Sequence, residues 1–235
     1  KEPNYSYVAA RLLLNTLYKE VFREGVDSDT FKLQYRKTFI QNMKTLVRSG
    51  RLDERMLSFD LQKISKALKI ERDKNFKYLG IQILHDRYFI REKDKIMEAP
   101  QSFWMRVAMG LALNEENKED WAIKFYNMFS EMRYTSSTPT LFNSGTSHSQ
   151  LSSCYLNTFD DSIDGIFDGA WQEARKSKFA GGLGLDVTPF RSTGSYIQGT
   201  NGISSGLIPW LKIYNDLLIA VNQGGKRPGA GCAYL

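Results

Sequence analysis

Along the first half of the chain apolar side chains return every three or four positions. Val8, Leu12, Leu13 and Leu17 predict an amphipathic helix over Tyr5–Phe22, with Pro3 suited to the turn before it. Phe31, Tyr35, Phe39, Met43, Leu46 and Val47 predict a second helix over Thr30–Arg48, closed by Gly50 at its C-terminal end. Arg51–Leu68 continues the pattern in shorter pieces. From Asn75 to Phe89 the spacing permits either a helix or a short hairpin, and periodicity alone does not separate them. Pro100 then precedes a helix over Ser102–Leu113, and Ile123, Phe125, Met128 and Phe129 mark another over Trp121–Tyr134. The Trp and Met residues in these helices read as core. Residues 1–134 are therefore expected to form a helical domain.

At Thr135 the pattern changes. The hydroxyls of Ser136, Ser137, Thr138 and Thr140 compete for backbone groups, and Pro139 removes a donor, so a helix is not expected to continue. Short strand-like runs follow at Leu151–Leu156, Gly182–Phe190 and Ala230–Leu235, alternating with helical stretches at Ser162–Lys178 and Leu207–Val221. Strands separated by helices of that length predict parallel βαβ connections, so an α/β layer or barrel is expected over 135–235. A parallel sheet of so few strands leaves an open edge, which leads us to expect a longer or split protein.

Composition narrows the classes. With 235 residues and 42% hydrophobic content the chain can bury a sizeable core, and no apolar run is long enough for a membrane span. The N-terminus has no signal-peptide pattern, and a cytoplasmic protein is expected. Two cysteines, neither in a CxxC, make a disulfide framework and a structural zinc site improbable. Only His85 and His148 are present, so histidine acid/base chemistry is not the obvious mechanism. The net charge of +6 lies entirely before residue 151, because the remainder carries seven basic and seven acidic residues. Spread over helical faces and mixed with acids, that excess reads as solvated surface, and no nucleic-acid partner is expected.

Candidate chemistry concentrates in the last third, which holds 13 of the 18 glycines. Lys178 before Ala-Gly-Gly-Leu-Gly, Arg191 after the following strand, and Lys226-Arg227 after Gly224-Gly225 could meet phosphate; the glycines could equally be ordinary turn residues. Neither a P-loop nor a dinucleotide fingerprint is present. Asp160-Asp161-Ser162 reads as a helix cap, though a carboxylate there could also hold a ribose hydroxyl. Cys154 reads either as a small buried hydrophobe or as a reactive thiol.

The ordered motifs carry a more specific signal. Ser-Thr-Pro-Thr-Leu-Phe-Asn-Ser-Gly-Thr at 137–146, Leu-Ser-Ser-Cys-Tyr-Leu at 151–156 and Asp-Asp-Ser-Ile-Asp-Gly-Ile at 160–166 are followed by Lys-Phe-Ala-Gly-Gly-Leu-Gly at 178–184. Arg-Ser-Thr-Gly-Ser-Tyr-Ile-Gln-Gly-Thr-Asn-Gly at 191–202 and Gln-Gly-Gly-Lys-Arg-Pro-Gly-Ala at 223–230 complete the series. Together they resemble the large, catalytic (alpha) subunit of ribonucleoside-diphosphate reductase, most like class I. Tyr-Ser-Tyr-Val-Ala-Ala-Arg-Leu-Leu-Leu and Tyr-Leu-Gly-Ile-Gln-Ile-Leu-His-Asp-Arg-Tyr resemble its helical N-terminal region, so the likeness covers essentially the whole chain.

The resemblance implies an α+β/α/β fold: a helical domain followed by the first strands and helices of a ten-stranded α/β barrel. It implies reduction of ribonucleoside diphosphates by radical chemistry, with Cys154 as half of a redox dithiol. Thr138 and Ser153 match substrate-binding positions, as do Gln223 and Arg227 in a second specificity loop over Asn222–Gly229. Asp161, Ser162, Ile163, Lys178, Arg191 and Ile197 match an effector-nucleotide pocket, and Ser192–Ile203 matches a first specificity loop. The effectors implied are nucleoside triphosphates (dATP or ATP, dTTP, dGTP), with Mg2+ able to accompany them, and this chain itself is expected to hold no cofactor or metal.

The partners implied are the rest of the alpha subunit, a second copy forming a homodimer through the effector-site helices, a radical-generating beta subunit with its metallocofactor, and thioredoxin or glutaredoxin as reductant. The radical-bearing cysteine, the partner of Cys154 and the shuttle cysteines are expected beyond Leu235, and an overall-activity domain, where there is one, before Lys1. Cys232 is expected to be structural. A cobalamin-dependent (class II) reductase and a non-catalytic nucleotide-binding module are the competing readings.

Overall fold

The computed structural model describes residues 4–23, 30–179, 181–221 and 229–235, and the chain divides into two compact units, Lys1–Leu151 and Ser152–Leu235. Pro3, Gln223 and Arg227 lie outside the described residues, as does the second specificity loop apart from Gly229.

In the first unit, α1 (Tyr5–Phe22) and α2 (Phe31–Arg48) keep the expected bounds to within one residue. The stripe that α1 buries runs through Ala10, Leu14, Leu17 and Val21, whereas Val8 and Leu12 face outward. α2 buries Tyr35, Phe39, Met43 and Leu46, and Gly50 takes a positive φ of 71° just past its end, a conformation that costs glycine little. Short helical pieces follow, including α3 (Leu61–Ala67) and a 3-10 segment, Ile70–Asn75. The ambiguous stretch resolves as α4 (Tyr78–Ile83) widening into a π turn, Leu84–Tyr88, and the hairpin comes just afterwards as β1 (Arg91–Glu92) and β2 (Lys95–Ile96). α5 (Pro100–Ala112) is buried almost throughout, and α6 (Lys118–Ser130) lies beside it.

The helical unit extends past the expected boundary at residue 134 to Leu151. A short helix, α7 (Thr138–Asn143), forms where none was expected, because Pro139 sits in its first turn and has no intrahelical donor to lose. Arg106 on α5 holds this segment: its Nη1 donates to Leu141 O at 3.0 Å and Ser144 O at 2.9 Å, while its Nε is paired with Glu98 at 2.8 Å. Arg106 and Glu98 are both buried, so the pair is sheltered from solvent.

A second buried network crosses the same unit. Asp73, 1% exposed, accepts from Tyr18 Oη at 2.6 Å, Tyr35 Oη at 3.4 Å and Gln101 Nε2 at 2.7 Å. Gln101 Oε1 in turn accepts from Tyr126 Oη at 2.6 Å. Burial raises the Asp73 carboxyl to about 7, although its three hydrogen-bond donors pull the other way.

The second unit is a three-stranded parallel sheet in the order β3 (Cys154–Thr158), β4 (Gly182–Asp186), β7 (Gly231–Tyr234). A small antiparallel hairpin, β5 (Tyr196–Ile197) and β6 (Gly202–Ile203), occupies the expected first specificity loop. The connecting helices are α8 (Ile163–Lys178) and α9 (Ile208–Val221). Leu183, Leu185 and Val187 cluster with Ile166 and Ala170 of α8 and Tyr214 of α9. Gly169 is required for this packing, since a Cβ there would lie 2.4 Å from the Phe159 ring. Strand β3 begins later than the expected Leu151, because the Gln150 and Leu151 carbonyls are taken by Asn143 Nδ2 at 2.8 Å and Thr140 Oγ1 at 3.0 Å. Cys154 thereby becomes the first residue of the strand.

Candidate functional site

Alternation along the parallel strands sorts the side chains. Cys154 is in register with Gly182, Leu156 with Gly184, and Gly184 with Cys232, so both cysteines belong to one face of the sheet. Both are exposed, and the cluster formed with α8 and α9 takes Leu183 and Leu185 from the alternate positions. Gly182 opposite Cys154 leaves the thiol open space on its neighbouring strand: a Cβ there would stand 3.7 Å from Sγ. The thiol's described polar contact is to Ser153 Oγ, at 3.7 Å. An exposed thiol with room around it is suited to thiol–disulfide exchange, which requires access to the sulfur. Thr138 lies in the helical unit, where its Oγ1 is 3.4 Å from Tyr88 Oη.

At the start of α8 the sequence builds a cavity. Ser162 is the helix cap, its Oγ accepting from Gly165 N at 3.0 Å. This leaves Asp161 free of capping, and its carboxylate accepts from the backbone N–H of Arg191 at 3.2 Å and from the Arg191 guanidinium Nε. Arg191 Nη2 also donates to the Asp161 carbonyl at 3.1 Å. The β5–β6 hairpin folds over this pair, closed at its base by Gly194 N to Ser204 O at 2.9 Å. Gly206 ends the hairpin with φ 76°, tight against Thr193, where a Cβ would come within 2.2 Å of Thr193 Oγ1.

The resulting cavity, about 140 Å3, is lined by Asp161, Ser162, Ile163, Ile166, Phe190, Arg191, Ile197, Ser204, Gly206 and Trp210. Five of the six residues matched to an effector pocket thus meet around one space, although they come from three separate segments. Phe190 and Trp210 also line it and were not singled out in the sequence; aromatic residues beside Arg191 and in the first turn of α9 were the available signal. Lys178 does not line the cavity. It is exposed at the last position of α8, roughly 22 Å along the helix from the first at 1.5 Å per residue. Apolar walls, one cation, one carboxylate and a helix N-terminus suit a ligand with a flat apolar ring, hydroxyls and an anionic group. Among the described residues, no group of His, Cys, Asp and Glu could hold a metal ion, and no helix is long and apolar enough to cross a membrane.

The outer surface of α8 carries an apolar stripe between exposed polar side chains. Ile163, Phe167 and Trp171, spaced four apart, are 62%, 52% and 58% exposed. Arg175 stacks over the Trp171 ring at 4.8 Å, and Phe167 meets Trp210 edge to face at 6.1 Å.

Comparison with known families gives two adjacent matches. Residues 74–149 match the all-alpha domain of ribonucleotide reductase and residues 152–235 its barrel domain, and the two meet where the compact units divide. The chain is 50% identical over 239 residues to the ribonucleoside-diphosphate reductase subunit alpha of Chlamydia muridarum, an alignment covering all of this chain and 22% of that protein. It is 41% identical to the subunit alpha of Helicobacter pylori (99% of the chain, 29% of that protein). It is 40% identical to the large subunit of Vaccinia virus (100% and 30%). The chain therefore spans between a fifth and a third of the length of these relatives.

Proposed function

The chain belongs to the ribonucleotide reductase large-subunit family, as a helical domain followed by the start of the barrel domain, and from that premise we propose that it works within a subunit reducing ribonucleoside diphosphates. The observation that carries this reading is the separation of two sites on one small sheet. An accessible thiol begins β3, and a cavity suited to a nucleotide opens at the N-terminus of the helix that follows.

In this reading the three strands are part of a ten-stranded barrel whose lumen is the face bearing Cys154. Cys154 and a second thiol elsewhere in the subunit supply two electrons and two protons. The ribose 2′ C–O bond breaks, its oxygen leaves as water, a C–H bond forms, and the sulfurs join as a disulfide. Thioredoxin or glutaredoxin returns the thiols, and a beta subunit with a metallocofactor generates the radical. Substrate-binding roles are carried over from the family motif residue by residue, to Ser153 in this unit, to Thr138 in the helical unit, and to Gln223 and Arg227, which lie outside the described residues. The reaction takes place in the cytoplasm.

The cavity binds a nucleoside triphosphate effector (dATP or ATP, dTTP or dGTP): apolar walls for the base, Asp161 for the ribose, Arg191 and the α8 N-terminus for phosphate, with any Mg2+ held through the triphosphate. At about 140 Å3 it is smaller than the roughly 300–1,000 Å3 of sites that enclose a small ligand, so a second surface completes it. A homodimer supplies that surface. Two α8 helices crossing antiparallel near Trp171 bury the Ile163, Phe167 and Trp171 stripes together and carry Lys178 of one protomer toward the cavity of its partner.

The test uses the complete subunit with its radical-generating partner. Cys154→Ser is expected to abolish multiple turnover and leave triphosphate binding within about twofold, since Cys154 has no place in the cavity. Equal loss of turnover and triphosphate affinity would count against the assignment.

A further inference from the structure

Helix α8 meets the sheet mainly through apolar contacts, Ile166 and Ala170 clustering with Leu183 and Leu185. Such contacts are non-directional and do not by themselves hold a helix at one axial position. A directional contact lies about two turns beyond the cavity. Glu173, 0% exposed, accepts through Oε1 from Asn157 Nδ2 on β3, and Lys176 Nζ stands 3.5 Å from the same oxygen. Asn157 and Cys154 share the five-residue strand, three positions apart and so on opposite faces.

Burial raises the Glu173 carboxyl above the ordinary range, with Lys176 acting in the opposite sense. Among the described residues its second oxygen, Oε2, is buried with no hydrogen-bond partner, and so is Ser177 Oγ one turn further along. A buried carboxylate paired to an amide is a poor device for stability; apolar side chains of similar volume in place of both partners would hold helix to sheet at least as well. What the carboxylate provides is register, because a hydrogen bond fixes the helix along its axis relative to the strand.

We propose that Glu173 is a positioning residue that couples α8 to the cysteine-bearing strand through Asn157, so that ligand binding at the α8 N-terminus is relayed to Cys154. The proposal rests on the effector and dithiol reading above. Binding at the cavity favours one axial position of α8; the Glu173–Asn157 bond makes β3 follow; and the position of the thiol at the head of β3 responds.

The test compares Glu173→Gln, which keeps an acceptor, with Glu173→Leu and Asn157→Leu, which remove the bond from either side. Each is made in the complete subunit, assayed with the radical-generating partner and titrated with a nucleoside triphosphate. Triphosphate affinity without substrate and unstimulated turnover are expected to stay within about twofold in all three. Effector stimulation, on the order of 5- to 150-fold for allosteric coupling, is expected to survive in the Gln variant and fall below about twofold in both Leu variants. Each single Leu variant leaves a buried or half-buried partner unpaired and is expected to lower the melting temperature; the double variant Glu173→Leu/Asn157→Leu removes both partners and is expected to keep its melting temperature while still lacking stimulation, a result that separates positioning from structural support. Stimulation that persists in Asn157→Leu, or is lost equally in Glu173→Gln, would overturn the proposal, and the Asn157 variant decides it if Glu173→Leu does not fold. Wild-type protein that binds no triphosphate would instead overturn the reading beneath it, a result seen before any variant is made.

Discussion

Arg191 is held by Asp161 through three separate hydrogen bonds, from its backbone N–H and its guanidinium to the carboxylate and from Nη2 to the carbonyl thirty residues earlier. The pair presets the guanidinium beside the N-terminus of α8. Arg191→Ala is therefore expected to weaken triphosphate binding to the complete subunit by about 1.5–3 kcal/mol, the range for a charged hydrogen bond. Asp161→Asn is expected to weaken it as well, by loosening the arginine. Equilibrium titration checks both, and unchanged affinity in Arg191→Ala would remove it from the site.

The exposed stripe on α8 makes a separate prediction. Trp171→Glu places a charge at the centre of the proposed helix pair, where it would be desolvated without a partner. Light scattering or sedimentation is expected to show the dimer shifted toward monomer, with circular dichroism unchanged because the side chain is outside the core of its unit. A dimer of undiminished stability would place the interface elsewhere.

Asp73 gives the helical unit a pH signature. Its folded pKa is raised, to about 7, above an ordinary carboxyl value of 3.8. The native state therefore binds the proton more tightly than the unfolded chain. The stability contributed is fully present below about pH 3.8 and is lost as pH rises through about 7. Denaturant melts of wild type and Asp73→Asn across pH 4 to 8 should show a difference between them that grows toward neutral pH, in favour of the variant. A pH-independent difference would show that Asp73 titrates as an ordinary carboxyl.

Arg106 is expected to be the most sensitive charged position in the helical unit. Arg106→Met strands the buried Glu98 carboxylate and frees the carbonyls of Leu141 and Ser144. Breaking one partner of a buried pair costs about 3–5 kcal/mol. Thermal or chemical unfolding measures it; a loss below about 1 kcal/mol would mean that the pair is readily replaced.

Much of this molecule is written locally. Helical periodicity, Gly50 and the cap at Ser162 are properties of a few adjacent residues, and α1, α2, α8, α9 and the three parallel strands appear where those residues predict them, to within three positions at their ends except that β4 stops at Asp186, four short of the expected Phe190. The ordered motifs likewise identified the family, because they are strings of neighbours. Tertiary structure decided what depends on partners far along the chain. Residues 135–151 join the helices rather than the sheet because Arg106 captures their carbonyls, and β3 starts at Cys154 because Thr140 and Asn143 occupy the carbonyls before it. The outward turn of Val8 and Leu12 depends on which side of α1 meets its neighbours, which spacing alone leaves open. The cavity exists only where Asp161, Arg191 and Ile197 converge, and Lys178 stands apart from it by the length of a helix. The sequence by itself determined the elements and the residue types available for chemistry; folding decided which of them meet, since long-range hydrogen bonds and burial join positions that no local pattern relates.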